Sequence, residues 1–155
     1  MIANDITVRA VRAGDYAGWR PLWDGYNAFY GRQGHTALLE SITATTWDRF
    51  LDPAEPVHAL VAVSRDEIVG LAHYLFHRST TRLTDVCYLQ DLFTAPAMRG
   101  RGIARQLIET VYDRARAAAA TRVYWLTHET NQVARALYVK LAQHNGFIVY
   151  THEIQ

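Results

Sequence analysis

A short turn with two glycines and two arginines, Arg99-Gly100-Arg101-Gly102-Ile103-Ala104, lies between a strand-like segment and a long helical pattern. Glycines at the start of a helix leave backbone N–H groups pointing outward, and the positive end of the helix dipole attracts an anion. Ala104 is small enough to let phosphates approach the first helical turn. This glycine turn therefore predicts a pyrophosphate site, with a plain basic turn as the alternative interpretation.

Two other phosphate-binding motifs fit the glycine turn poorly. Gly100-Arg101-Gly102 lacks the third glycine of a dinucleotide-binding turn, and the preceding strands predict a meander without a βαβ unit. A nucleoside triphosphate P-loop requires Gly-Lys-Ser/Thr, which is missing here. The glycine turn thus points to a different class of phosphate ligand.

Hydrophobic periodicity on both sides of the glycine turn predicts the fold. The predicted strands cover residues 6–11, 57–64, 67–76, 84–94, 122–127 and 147–152. The predicted helices cover residues 14–30, 43–51, 102–121 and 131–143. An antiparallel meander that leads into a β-α-β crossover indicates an α/β fold with a mixed, largely antiparallel sheet of six to seven strands and helices on both faces.

Size and charge limit the class of protein. A chain of 155 residues suits one domain, so residues 1–155 are expected to form a single domain. With 16 Lys+Arg against 15 Asp+Glu, no overall field favours nucleic acid or a membrane surface. Cys87 is the only cysteine and no apolar run approaches the roughly 20 residues of a membrane span, so a cytoplasmic protein is expected.

From about Ile6 to Tyr150, weakly before Tyr88 and strongly after it, the sequence resembles the GNAT superfamily of N-acetyltransferases, whose acetyl-CoA motif is Gln/Arg-x-x-Gly-x-Gly/Ala. Arg99, Gly102 and Ala104 match that motif position for position. Two further blocks agree with the family, namely Tyr88-Leu89-Gln90-Asp91-Leu92-Phe93-Thr94, and Asn131-x-x-Ala134-x-x-Leu137-Tyr138 followed by Gly146-Phe147. The subgroup most similar to this sequence contains the diamine and the yeast histone/polyamine acetyltransferases.

The resemblance implies a cosubstrate, acetyl-CoA, and a way to hold it. The strand ending at Thr94 would splay from residues 123–127, and its backbone would pair with the pantetheine arm like an added strand. Because this subgroup often forms dimers, a homodimer is a possible assembly. The residues expected to contact the coenzyme are Leu92, Phe93, Thr94, Arg99, Gly100, Arg101, Gly102, Ile103, Ala104, Arg105, Asn131 and Tyr138.

The chemistry of acetyl transfer requires a neutral amine and a stabilised thiolate. By resemblance, Tyr138 would donate to the departing sulfur. A phenol of pKa about 10 facing a thiol of about 8.5 makes full proton transfer uphill by roughly 2 kcal/mol, so hydrogen-bond donation is the expected role. Tyr138 also fits a core position on the Leu137/Leu141 stripe, and Asn131 also fits a helix N-cap.

The general base is less clearly marked. Gln90 stands where the diamine acetyltransferases have Glu, and an amide cannot accept the proton. Asp91 is the remaining candidate, but successive strand residues face opposite sides, so only a β-bulge near Leu92 would re-aim it. Asp91 alternatively orients a water, binds a second substrate ammonium or is a solvated acid. Further candidates are His73, His77, His128 and Glu129.

An aromatic stripe supplies the predicted acceptor pocket together with residues 78–82. Most of this stripe is expected to pack in the core, while Tyr26 and Tyr30 would hold an amine by cation–π contact. His73 and Gln90 complete the predicted substrate-binding set. The stripe consists of Trp19, Trp23, Tyr26, Phe29 and Tyr30.

The sequence therefore predicts an N-acetyltransferase that acts by direct transfer to a small amine, such as a polyamine or amino acid, or to a peptide or protein lysine. Its rival is a non-catalytic acyl-CoA-binding or regulatory module that lost its base at Gln90. No His-Glu-x-x-His helix is present, and no triad with Cys87 is evident, so neither a metal site nor thiol catalysis is expected.

Overall fold

A mixed sheet and four helices make up the regular structure of residues 5–155, the part of the chain that the computed structural model describes. The strands are β1 (Ile6–Ala10), β2 (Val57–Ser64), β3 (Glu67–His77), β4 (Val86–Thr94) and β5 (Val123–Tyr124). The helices are α1 (Tyr16–Phe29), α2 (Glu40–Leu51), α3 (Ile103–Ala117) and α4 (Gln132–Leu141). The strands lie in sequence order, antiparallel except for the parallel pair β4 and β5.

The chain divides into two compact units. The first unit ends at Trp125 and contains the sheet with α1, α2 and α3. The second unit, Leu126–Gln155, contains α4. Within residues 5–155, no helix combines the length and the apolar character that crossing a bilayer requires.

Helices cover both faces of the sheet, as predicted, and the side-chain alternation of β3 shows which helix lies where. Leu71 points to one face, where it joins a buried cluster with Trp19 of α1. Gly70 faces the other side, where an added Cβ would lie 2.9 Å from Ile103 and 3.1 Å from Leu107 of α3. Because successive strand residues point to opposite faces, α1 and α3 lie on opposite sides of the sheet.

The predicted count of six to seven strands is wrong, since five form among the described residues. Residues 147–152 form no strand, and the side chains of Phe147 and Tyr150 are 84% and 89% exposed. High β propensity at Phe-Ile-Val-Tyr is insufficient without a neighbour to pair the backbone. The strand predicted at 122–127 shortens to Val123–Tyr124.

Candidate active site

A β-bulge in β4 determines which way its polar residues point. The register pairs His73 with Asp91 and then Tyr74 with Leu89, so Gln90 is an extra residue without a partner on β3. A bulge shifts the alternation by one position, and Gln90 and Asp91 therefore both reach the same cleft. The bulge near Leu92 that would be needed to re-aim Asp91 is therefore present, at Gln90.

Asp91 is joined to a buried chain of hydrogen bonds. The indole N–H of Trp19 donates to Nε2 of His73 at 2.9 Å, and Nδ1 of His73 lies 2.9 Å from Oδ2 of Asp91. An indole can only donate, so Nε2 must be an unprotonated acceptor and the ring proton resides on Nδ1. His73 is therefore a neutral donor to the Asp91 carboxylate. These hydrogen bonds are shielded from solvent, because Trp19 is 0%, His73 2% and Asp91 8% exposed.

Phenol groups surround the same carboxylate. The pKa of Tyr26 lies well above its usual value, because burial and, after it, the nearby negative charge of Asp91 favour the neutral phenol. Burial first and Asp91 second also raise the pKa values of Tyr30 and Tyr88. These three phenols therefore stay protonated at neutral pH. Asp91 accepts from His73, and a carboxylate with about four lone-pair positions still has room for a substrate amine.

The cleft has a volume of about 540 Å³, and its wall combines α1, α2, β3 and β4. Four predicted site residues meet there: Tyr26, His73, Gln90 and Asp91. Tyr30 packs on the Tyr26 ring at 5.0 Å between centroids but is not part of the lining. Trp23 also lines the cleft, whereas the other members of the predicted pocket, Trp19, Phe29 and residues 78–82, do not.

The other candidate bases lie elsewhere. His77 is exposed, and its Nε2 lies 2.7 Å from the hydroxyl of Tyr124. His128 and Glu129 belong to the second unit, where Nδ1 of His128 lies 2.7 Å from Thr130 Oγ1. Of the candidate bases in the first unit, His73 and Asp91 thus line the cleft, whereas His77 does not.

Two arginines of the cleft were missed by the sequence analysis. Arg32 and Arg49 both line the cleft, and neither pairs with an acidic side chain within residues 5–155. The guanidinium of Arg32 lies 5.8 Å from the ring centroid of Tyr26 and 5.5 Å from that of Tyr30. The only local signal for Arg32 is its position as a basic residue just after an aromatic helix and the glycine that follows that helix, Gly31.

The glycine turn has the geometry of an anion site. Gly100 and Gly102 have φ of 76° and 80°, in the left-handed region that favours glycine. The first bond inside α3 runs from the Gln106 N–H to the Gly102 carbonyl, and no side chain caps the helix. The N–H groups of residues 103–105 precede that bond, so they are available to an anion. The residues present therefore fit a diphosphate.

Side chains around the glycine turn support this geometry. Arg99 lies with its guanidinium 5.5 Å from the Phe93 ring centroid, and Arg101 is exposed. Ile103 is 1% exposed and anchors the start of α3 in the core, so it can offer a ligand only its backbone. Arg105 is half-buried and lies 3.6 Å from Glu109.

One edge of β4 is open next to the cleft. The parallel partner β5 pairs only with Cys87 and Tyr88. Residues 92–94 pair with β3 on their other edge, opposite residues 70–72. Among the described residues no strand covers their second edge, which suits pairing with an extended ligand.

Two predicted residues lie in the second unit. Asn131 occupies the N-cap position of α4, as the alternative interpretation predicted; its side chain donates to Thr127 Oγ1 at 3.3 Å and makes no cap bond. Tyr138 is half-buried on α4.

Comparisons with known proteins point in one direction. Residues 19–142 match the model of the Acetyltransferase (GNAT) family. The D-amino-acid N-acetyltransferase HPA3 of Saccharomyces cerevisiae is 32% identical over 152 residues, which cover 97% of this chain and 92% of the yeast protein.

Solved structures show the same fold. An aminoglycoside acetyltransferase from an uncultured soil metagenomic sample has a TM-score of 0.83 at 14% identity, with both chains covered completely. The aminoglycoside N-acetyltransferase AAC(6')-Iy in complex with CoA has a TM-score of 0.74 at 16% identity, covering 96% of this chain and 99% of that one.

Proposed function

The chain belongs to the GNAT family of acetyltransferases, and from that premise we propose that it transfers the acetyl group of acetyl-CoA to the primary amine of a small molecule by direct attack in a ternary complex. The observation that carries the proposal is Asp91. This carboxylate is re-aimed by a bulge, held by His73, and lines a cleft beside the open edge of β4. A carboxylate in that position can receive a proton from an attacking amine.

The chain's own residues supply the means of holding acetyl-CoA. The N–H groups at the start of α3 would bind the diphosphate, with Arg99, Arg101 and Arg105 adding positive charge. The backbone of residues 92–94 would pair with the pantetheine arm along the open edge of β4. The family match spans residues 19–142 and so continues past Trp125, which supports the proposal that both units belong to one acetyltransferase domain.

Proton movements in the cleft follow from the position of Asp91. An amine arrives mainly as an ammonium and loses its first proton to solvent, since the cleft opens beside the exposed Gln90. The nitrogen then bonds to the thioester carbonyl carbon and becomes positively charged. Asp91 accepts the proton that this nitrogen releases. His73 touches only protein groups through its ring nitrogens, so it acts through Asp91 as a positioning residue.

The departing sulfur needs a donor as the C–S bond breaks. Tyr138 is the proposed donor, on the strength of its match to the family's third block. Its hydroxyl would hydrogen-bond the thiolate, which then takes up one proton so that free coenzyme A and an N-acetylated amine leave. The exchange balances, because the proton gained at sulfur equals the one lost at nitrogen.

A small acceptor suits the site better than a protein lysine. The cleft volume of about 540 Å³ is within the usual range of small-molecule sites, about 300–1,000 Å³. The yeast relative at 32% identity is, by its name, a D-amino-acid N-acetyltransferase, which supports a small amine as the acceptor class.

Release of free thiol from acetyl-CoA tests the proposal directly. We expect turnover with at least one member of a panel of D- and L-amino acids, polyamines, aminoglycosides and histone peptides, and an acetylated product by mass spectrometry. Asp113→Asn, at an exposed acid of α3, is the matched control for Asp91→Asn. Acetyl-CoA binding without turnover on any acceptor would instead favour the non-catalytic module.

A further inference from the structure

The cleft wall carries opposite charges, from Asp91 and from Arg32 and Arg49. This arrangement indicates that the acceptor has a second charged group in addition to its amine. We propose that Arg32 binds a carboxylate of the acceptor, so that the acceptor is an amino acid whose amine faces Asp91. This inference rests on the proposed function and names the substrate class of the same site. It is carried by the fixed position of Arg32, by its lack of an acidic partner among the described residues and by the cleft that it shares with Asp91.

Arg32 is held in place before any ligand arrives. Its Nε donates to Oδ1 of Asn27 at 2.6 Å, and Nδ2 of Asn27 donates to the carbonyl of Trp23 at 2.9 Å. Asn27 is 4% exposed, so this support is buried. The two Nη groups keep the paired geometry that a carboxylate prefers, and little side-chain freedom is lost on binding.

The charge of Arg32 is not balanced inside the protein. In the part of the chain that the structure describes, ion pairs engage Arg9, Arg20, Arg78, Arg105 and Arg116, but not Arg32. Arg32 is nevertheless half-buried and lines the cleft. Arg49, exposed on the same wall, adds a second positive charge. An anionic group of the ligand would be the counter-ion that Arg32 lacks.

Tyr26 lies near both charged groups of the site. Its ring lies 5.8 Å from the Arg32 guanidinium, while burial and, after it, the nearby negative charge of Asp91 raise the pKa of its phenol. The positive and the negative group thus lie near the same tyrosine in one cleft, an arrangement suited to a zwitterion. A polyamine would fit less well, because its second ammonium would approach Arg32 and Arg49 and be repelled.

The test compares an amino acid with the same molecule lacking its carboxylate. D- and L-phenylalanine and phenethylamine are assayed for thiol release with the wild-type protein and with Arg32→Gln. We expect kcat/KM for at least one phenylalanine isomer to exceed that for phenethylamine, and Arg32→Gln to lower it about 10- to 100-fold through KM. Activity on phenethylamine should change less than about twofold, which a purely structural loss would not allow.

Three further variants sharpen the result. Arg32→Lys should recover part of the preference, since it keeps the charge but not the paired donors. Arg116→Gln, at an exposed arginine of α3, controls for the loss of one positive charge. A selectivity lost in Arg49→Gln but kept in Arg32→Gln would overturn the assignment, as would equal losses on phenylalanine and phenethylamine.

A binding experiment separates this inference from the proposed function. If no acceptor is turned over, tryptophan fluorescence, reporting on Trp23 in the cleft wall, is titrated with phenylalanine and with phenethylamine. Tighter binding of phenylalanine that disappears in Arg32→Gln would support the carboxylate site even without catalysis. Equal binding of the two probes would overturn it.

Discussion

The glycine turn and the cleft build their ligand sites from different parts of the chain. The glycine turn uses the backbone, because left-handed Gly100 and Gly102 and the uncapped start of α3 present N–H groups without any side chain. The cleft uses side chains from separate elements, linked from Trp19 through His73 to Asp91. A backbone site depends on the main-chain conformation, whereas the cleft depends on particular side-chain atoms. Substitutions in the glycine turn should therefore lower the affinity for coenzyme A, whereas substitutions in the cleft should lower kcat or kcat/KM.

Asp91→Asn should have the largest effect. The amide keeps the size of the side chain but cannot accept a proton, so kcat should fall about 100- to 1,000-fold. The affinity for acetyl-CoA, measured by calorimetry, should change less than about twofold because the glycine turn is untouched. A variant that keeps more than half of the wild-type kcat would remove Asp91 as the base and leave orientation of the amine as its role.

Gly102→Glu should give the next largest effect, on the affinity for coenzyme A rather than on kcat. A side chain at φ 80° costs roughly 1–2 kcal/mol, and a carboxylate at the start of α3 repels the diphosphate. We expect the Kd for coenzyme A to rise about 10- to 100-fold, while binding of an amino acid in the cleft stays the same.

Gly14→Glu is the matched control for the glycine turn. Gly14 has open space around it and no positive φ, so the same charge is added without strain or a nearby ligand. If both variants bind coenzyme A like the wild type, the glycine turn is not the diphosphate site.

The same difference explains what the sequence predicted. The glycine turn is contiguous, and its function depends on glycines at a strand-to-helix junction, so the pattern alone locates it. The bulge at Gln90 depends on the register between β3 and β4, which no local pattern determines. For that reason Asp91 was a candidate without a known direction, and its link to His73 was not foreseen.

Arg32 was missed for a related reason. Asn27, which holds Arg32, lies on α1 with no unusual sequence around it. Arg32 becomes a candidate site residue only because the fold places it in the same cleft as Asp91 of β4. Five of the six predicted strands were found, because alternation and β propensity marked them. The sixth, at 147–152, had propensity but lacked a pairing neighbour in the described structure.

Trp19→Phe should lower kcat about tenfold, less than the loss of Asp91 itself. Phenylalanine fills most of the ring space but removes the N–H that fixes the tautomer of His73. The orientation of the His73 ring is then no longer fixed, so Asp91 loses a fixed donor. The pH profile of kcat should change as well, which a loss of packing would not produce.

Trp47→Phe tests whether this effect is packing alone. Trp47 is 7% exposed in the same cluster, at 4.9 Å from the Trp19 ring, and no indole hydrogen bond to His73 is involved. Both variants should lose a similar amount of unfolding free energy, roughly 1–3 kcal/mol. Equal changes in kcat and in pH profile for the two would show that the N–H of Trp19 has no special role.

Gly100→Ala should have the smallest effect and is the strictest test of a backbone-built site. Its new Cβ meets no heavy atom within 4 Å, so the cost is the strain at φ 76°, roughly 1 kcal/mol or a fall in Tm of about 2–4 °C. The backbone N–H groups remain, so the Kd for coenzyme A should change less than about threefold. By contrast, Tyr26→Phe removes a single oxygen atom from the cleft and should still reduce kcat more than Gly100→Ala does. If Gly100→Ala weakens coenzyme A binding more than tenfold at an unchanged Tm, side-chain volume matters at the glycine turn, and the distinction between the two regions fails there.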